Sequence, residues 1–278
     1  MSAKILDGKA CSEQTLEFIN ANLRDNDPPT LAIISVGDDP ASKVYVRNKM
    51  RAAEKVGIKV NHIPFTEYAD TPFIINTIEE FNNDEEVDGI MVQLPLPAYL
   101  DERAIIDAID PAKDVDGLTY MNMGMLHEQT CFHQPCTAKG IIWLLHENGI
   151  HLTGRHVVVV GRSEIVGKPV ALLALNNDAT VTICHSRTKN LAEMTRQADI
   201  LIVAVGKPGL ITADMVKPGA VVVDVGINRT EEGKLVGDVD FDGVKEVASW
   251  ITPVPGGVGP MTVAMLMMNT FHAQGMNR

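Results

Sequence analysis

The sequence predicts an α/β protein of two domains, each built on a parallel sheet, and three observations carry that prediction. Continuous apolar runs such as Leu31-Ala-Ile-Ile-Ser-Val36 and His156-Val-Val-Val-Val160 suit strands covered on both faces. Helical stretches alternate with these runs, which is the pattern of βαβ units rather than of hairpins. At 278 residues the chain also reaches the length, roughly 250–300 residues, at which single cores stop growing and chains divide.

A first helix is expected over Ser12–Leu23, before the break Asp27-Pro-Pro-Thr30. The strand Leu31–Val36 stops at Gly37-Asp38-Asp39-Pro40. Asp39 can cap and Pro40 can take the first helical position, so a helix follows to about Gly57. Next come a strand at Lys59–Phe65, a helix at Pro72–Asn83 and a strand at Gly89–Leu94, stopped by Pro95 and Pro97. A helix at Asp101–Ile109 leads to the loop Pro111–Gly117, then to an irregular stretch ending at Pro135. The helix Thr137–Asn148 bridges to a second series, with strands at His156–Val160, Thr180–Cys184, Ile200–Val205 and Ala220–Val225 and helices beginning near Val166, Leu191 and Thr212. The expected domains are residues 1–136 and 137–260, with a cleft between them. The apolar helix beginning at Met261, in residues 261–278, is expected to pack back on the first domain. There is no short-period repeat, low-complexity tract or flexible linker.

The second domain opens on Gly161-Arg-Ser-Glu-Ile-Val-Gly167, a strand-to-helix turn with the outline of a Rossmann-type dinucleotide site. The first glycine permits a tight turn, and the new helix presents unpaired N–H groups and a favourable dipole to a pyrophosphate. Serine stands where the second glycine of the usual pattern would be, so the turn taken alone is also compatible with an ordinary glycine-rich connection. The next strand ends Thr182-Ile-Cys-His-Ser-Arg-Thr188, without the acid that would hold the ribose hydroxyls of NAD. Ser186 and Arg187, with Arg162 and Ser163, instead offer donors and positive charge suited to a 2′-phosphate, and NADP is the expected cofactor, the alternative being that Arg162 and Arg187 are solvated surface residues.

Composition narrows the partners. A net charge of −12 argues against binding along a phosphate backbone, so no nucleic-acid partner is expected. No run approaches the roughly 18 apolar residues of a membrane span, and the start Met1-Ser-Ala-Lys-Ile-Leu-Asp7 lacks an apolar signal core. A cytoplasmic protein without a membrane partner is expected. Cys11, Cys131, Cys136 and Cys184 form no Cys-x-x-Cys pair, and Cys131-Phe-His133-Gln-Pro-Cys136 has the wrong spacing for a finger, so no metal is expected.

In the first domain, ligands are expected beyond the carboxyl ends of the strands. Gln93 stands there, and Ser42, Tyr45 and Lys49 share one face of the following helix at i, i+3 and i+7. Taken singly, Lys49 reads as a solvated charge and Tyr45 as a packing residue. Asp114 and Asp116 are either ligand acceptors or turn residues bonding their own backbone. The Pro- and Gly-rich run Ile251–Pro260 is either a connector or a close approach of backbone to a flat or anionic ligand. No Gly-x-Ser-x-Gly elbow, His-Glu-x-x-His or Walker loop is present.

Taken together, Ser42-Lys-Val-Tyr-Val-Arg-Asn-Lys49, Val92-Gln-Leu-Pro-Leu96, Lys113-Asp-Val-Asp-Gly-Leu118, Pro135-Cys-Thr137, Val160-Gly-Arg-Ser163 with Val166-Gly167, and Thr252-Pro-Val-Pro-Gly-Gly-Val-Gly-Pro-Met-Thr262 resemble the bifunctional methylenetetrahydrofolate dehydrogenase/methenyltetrahydrofolate cyclohydrolases. The resemblance covers essentially the whole chain. It implies that Lys49 is catalytic, that Tyr45 packs along the folate, and that Gln93, followed by Leu94 in the site, hydrogen-bonds near the lysine. It further implies that Asp116 anchors the pterin and that Pro255, Gly256 and Gly257 line the folate site. Gly161, Arg162, Ser163, Ile165 and Ser186 become dinucleotide contacts, and Ile227 lies beside the nicotinamide. A tetrahydrofolate substrate and a homodimer formed through the second domain are also implied.

The chemistry suits those residues. Hydride loss from a carbon between two nitrogens gives a cation that the nitrogens stabilise, so oxidation needs placement of the nicotinamide rather than a strong base. Hydrolysis does need a base, because water must add to the methenyl carbon and lose a proton. A lysine beside a cation in a partly dry site is held neutral by like charge and by desolvation, and Gln93 can orient it. Three other readings stand beside this one: a dehydrogenase without the hydrolytic step, an NADP-dependent reductase of another small metabolite, and a nucleotide-binding module without turnover.

Overall fold

The computed structural model describes residues 2–23, 27–230 and 232–277; Met1 and Arg278, the outer ends of the expected domains, lie outside the described residues. In chain order the elements are β1 (Lys4–Ile5), α1 (Gly8–Asn22), β2 (Thr30–Val36), α2 (Pro40–Val56), β3 (Lys59–Phe65), α3 (Thr71–Asn83), β4 (Gly89–Val92), α4 (Glu102–Asp107), α5 (Tyr120–Met125), α6 (Cys136–Glu147) and β5 (His156–Val160). They continue with α7 (Gly167–Asn176), β6 (Thr180–Cys184), α8 (Leu191–Thr195), β7 (Ile200–Val203), β8 (Val221–Asp224), β9 (Asn228–Arg229), β10 (Leu235–Val236), α9 (Phe241–Val244), β11 (Trp250–Ile251) and α10 (Val258–Asn277). The chain divides into two compact units, one of residues 13–136 with 263–278, the other of residues 1–12 with 137–262.

In the first unit β2 is the centre of a three-stranded parallel sheet, in the order β3-β2-β4. Its apolar run packs Ala32 and Ile34 against Ile74, Ile78, Ile90 and Ile105, all fully buried. α2 follows immediately because the local signals agree. Asp39 accepts the Ser42 N–H at 2.7 Å and Pro40 starts the helix. Gly57 closes it at φ 85°, a left-handed conformation that costs glycine nothing. Such an N-cap stabilises a helix by about 1 kcal/mol.

The second unit holds a six-stranded parallel sheet in the order β1-β11-β8-β7-β5-β6. β5, β7 and β8 are almost wholly Val, Ile and Leu and lie buried on both faces. Successive strands β5 and β6 run to one side, whereas β7 pairs on the other side of β5. The order therefore reverses at β5, and the crevice at its carboxyl end is where such sheets receive ligands.

Two expectations are corrected. Residues 1–12 belong with the second unit rather than the first, because Lys4 and Ile5 pair in parallel with Trp250 and Ile251 at the sheet edge. The helix expected from Thr212 is a single 3-10 turn, Ala213–Met215. Pro218 follows it, and the residue before a proline is pushed out of helical conformation.

Candidate active site

In the first unit, the helical period of α2 sets Ser42, Tyr45 and Lys49 on one face, and the parallel pairing of β4 with β2 brings Gln93 to meet it. Lys49 Nζ donates to Gln93 Oε1 at 2.9 Å. Gln93 is itself fixed at two further points, since its backbone N–H donates to Ile34 O at 2.8 Å and its Nε2 to Leu94 O at 2.6 Å. The amide is thus oriented with its oxygen toward the lysine. Gln93 also borders a cavity of about 320 Å³ lined by Ser35, Ser42, Arg47 and His62. Tyr45 is 41% exposed one turn ahead of Lys49.

The loop after α4 separates the two aspartates that sequence left equivalent. Asp114 is consumed by its own turn: Oδ1 accepts the Gly117 N–H at 2.9 Å, and Oδ2 accepts the Thr119 N–H at 2.8 Å and Asn122 Nδ2 at 2.9 Å. Lys113 ties the same loop to the end of α3 by donating to Phe81 O and Asp84 O. Asp116 instead takes a hydrogen bond from the Cys136 side chain and interacts electrostatically with Lys49. Burial pushes the Asp116 carboxyl up, against the opposing pull of Lys49. Burial also holds Lys49 below its ordinary value, with Asp116 and Cys136 acting the other way. Both groups are driven toward their uncharged forms, which is what a lysine needs to accept a proton near neutrality.

One residue of this unit escaped the sequence reading. Asn269 of α10 is buried and donates through Nδ2 to Val115 O at 2.8 Å and Gln134 O at 3.0 Å, with Cys136 Sγ at 3.5 Å. It clamps the two segments that flank Asp116. A lone Asn within an apolar helix gives no local sign of partners more than a hundred residues away.

In the second unit, Gly161 ends β5 at φ 130°, and a Cβ there would lie 2.2 Å from Ala204 O. Only glycine fits this turn. A Cβ on Gly167 would meet Gly161 O at 2.5 Å, so the second glycine is required by the close return of the chain at the start of α7. Ser163 Oγ accepts the Val166 and Gly167 N–H groups at 3.2 and 3.3 Å. The serine is therefore part of the turn's own structure, doing there what a capping side chain does. Arg162 and Ile165 are exposed beside it. The register Val160↔Cys184 sets this turn next to the one after β6, where Ser186 and Arg187 are exposed. Ile227, 47% exposed, follows β8. Pro255, Gly256 and Gly257 lie ahead of α10, where Gly256 O accepts the Lys9 N–H at 3.0 Å and a Cβ on Gly257 would meet Pro253 O at 2.6 Å. Among the described residues, no group of three or more His, Cys, Asp or Glu side chains gathers as metal ligands.

A glycine turn at the reversal point of a parallel sheet, and in the other unit a buried lysine held by a fixed amide, define a dinucleotide-linked α/β enzyme. Residues 135–278 match the model of the tetrahydrofolate dehydrogenase/cyclohydrolase NAD(P)-binding domain, and residues 6–116 match that of the corresponding catalytic domain. The chain belongs to the tetrahydrofolate dehydrogenase/cyclohydrolase family. It is 55% identical over 267 residues to the bifunctional protein FolD of Methanospirillum hungatei, covering 96% of this chain and 95% of that one. The crystal structure of the bifunctional FolD dehydrogenase/cyclohydrolase from Campylobacter jejuni superposes with a TM-score of 0.97 at 44% identity, over 100% of both chains. The FolD of Trypanosoma brucei, solved with NADP cofactor and inhibitor, superposes with a TM-score of 0.94 at 37% identity, over 99% of this chain and 98% of that one.

Proposed function

We propose that the chain catalyses both reactions of its family: NADP-dependent oxidation of 5,10-methylenetetrahydrofolate to the 5,10-methenyl compound, and hydrolysis of the latter to 10-formyltetrahydrofolate. The observation that carries this is the Lys49–Gln93 hydrogen bond beside Asp116, with burial driving the lysine toward its neutral form. Residues 13–136 with 263–278 form the folate-binding catalytic unit, and residues 137–262 hold the dinucleotide. The reading is supported by the tight approach at Gly161 and Gly167, which admits no side chain, and by the exposed Arg162, Ser186 and Arg187, which offer cations and donors of the kind a 2′-phosphate takes.

Gly161, Arg162, Ser163, Ile165, Ser186 and Arg187 would hold the dinucleotide, which would supply the hydride acceptor. The chain's residues supply placement: in the first unit Tyr45 packs along the folate, Leu94 lines its site and Asp116 anchors the pterin, and in the second Ile227 borders the nicotinamide. In hydrolysis, uncharged Lys49 takes a proton from the water adding to the methenyl carbon, and Gln93 Oε1 keeps the amine aimed. A spectrophotometric assay tests both steps. Methylenetetrahydrofolate with NADP is expected to yield methenyl absorbance that then decays, more efficiently than with NAD. Methenyl product that never decays faster than in buffer would sink the hydrolytic half, and no NADP-dependent product would sink the whole.

Two properties of the protein in the cell belong to the same proposal. None of the four cysteines forms a disulfide, which suits the reducing cytoplasm, and cell fractionation tests that location. Among the described residues, no helix is long and apolar enough to cross a membrane. A homodimer forms through the second unit, where β6 is an edge strand with Ile183 44% exposed and Leu175 of α7 56% exposed. Sedimentation equilibrium is expected to give twice the chain mass, and Ile183→Asp to shift it toward the monomer. A wild-type monomer at micromolar concentration refutes the dimer.

A further inference from the structure

Asp238 is fully buried, yet it lies outside every motif that the family resemblance uses. Its Oδ2 accepts the backbone N–H groups of Val205 at 2.7 Å and Gly206 at 3.0 Å. Its Oδ1 accepts the Lys207 N–H at 2.7 Å and Asn228 Nδ2 at 2.9 Å. Three successive amides converging on one point, with Gly206 at φ 66°, make the kind of concavity that elsewhere receives an external anion. Here the chain fills it with its own carboxylate. Asp224 supports the arrangement from behind, with Oδ1 accepting the Gly226 and Asp238 N–H groups at 3.0 and 2.9 Å, and Oδ2 the Val239 N–H at 3.0 Å.

Two glycines are explained by these carboxylates. A Cβ on Gly226 would lie 2.3 Å from Asp238 Cγ, and one on Gly237 would lie 1.8 Å from Asp224 Oδ2. The cluster also adjoins the dinucleotide turn, because Gly161 packs on Ala204 O, the residue just before Val205. Asp238 therefore joins the turn after β7 to the turn after β8, which carries Ile227 between Gly226 and Asn228. Both turns lie at the carboxyl edge of the sheet, beside its reversal point.

We infer that Asp238 is a positioning residue for the nicotinamide end of the dinucleotide, setting residues 205–207 and 227–228 in fixed relation before the cofactor arrives. The inference rests on the NADP reading above. Asp238→Asn tests it, since either orientation of the new amide points an NH₂ group at two donors while keeping the side chain's size. The KM for NADP is expected to rise about fivefold, whereas hydrolysis of the methenyl compound, which consumes no dinucleotide, stays within about twofold of wild type. An unchanged KM for NADP overturns the inference, as does an equal loss of both activities in a folded variant. Should Asp238→Asn fail to fold, Asn228→Ala, which removes a single donor, decides. A rise of about twofold or more in the NADP KM with hydrolysis intact supports the inference, and no rise overturns it. Wild-type protein inactive with NADP would instead sink the cofactor reading.

Discussion

Lys49→Met is expected to lower hydrolysis of the methenyl compound by at least about 10²-fold, the lower end of what a general base contributes, while NADP binding is retained. Methionine keeps the length and apolar stem of the side chain and removes only the titrating amine. The rest of the local frame should survive, because Gln93 is held independently through Ile34 O and Leu94 O. The pH dependence supplies a second readout. Burial lowers Lys49 from its ordinary 10.5. The ammonium must lose its proton before it can take one, so the wild-type hydrolytic rate should rise with pH and level off below the usual lysine range. That limb should be missing from Lys49→Met. Hydrolysis unchanged by the substitution would remove Lys49 from the role of base.

The parts of this molecule legible in sequence are those whose signals are local. The bounds of β2, β3 and α2 follow from an apolar run, two prolines, a capping aspartate and a terminal glycine, each acting on its own neighbours. The Gly161 turn was legible for the same reason. What escaped depends on partners distant in the chain. β1 is two residues long and becomes a strand only because Trp250–Ile251 offers it an edge. Asn269 looks unremarkable inside an apolar helix until Val115 O and Gln134 O are placed against it. Asp238 resembles a solvated acid in Val236-Gly-Asp-Val-Asp240, but four donors from two other turns make its burial tolerable. Asp114 and Asp116 show the same limit at short range. They are two residues apart in one motif, and only the hydrogen bonds reveal that the first serves the turn, whereas the second interacts with Cys136 and Lys49.

Arg162→Ala is expected to raise the KM for NADP on the order of tenfold to thirtyfold and that for NAD by less than about twofold, the lower part of the span expected when a charge-assisted hydrogen bond to phosphate is lost, since the contact faces solvent. The two nucleotides differ only in the 2′-phosphate, so a residue that acts through the pyrophosphate or the shape of the turn would affect both. The structure favours a local effect. Ser163 Oγ and the close contact of Gly167 with Gly161 O hold the turn without any help from the guanidinium. Arg162 itself is exposed, and the pairing of β5 with β6 sets it on the same edge as Ser186 and Arg187, with no acid at the end of β6 to repel the phosphate. Because the contact is solvent-facing, added salt should narrow the difference between wild type and variant for NADP. Equal increases in KM for both nucleotides, or a difference insensitive to ionic strength, would refute a 2′-phosphate contact at Arg162.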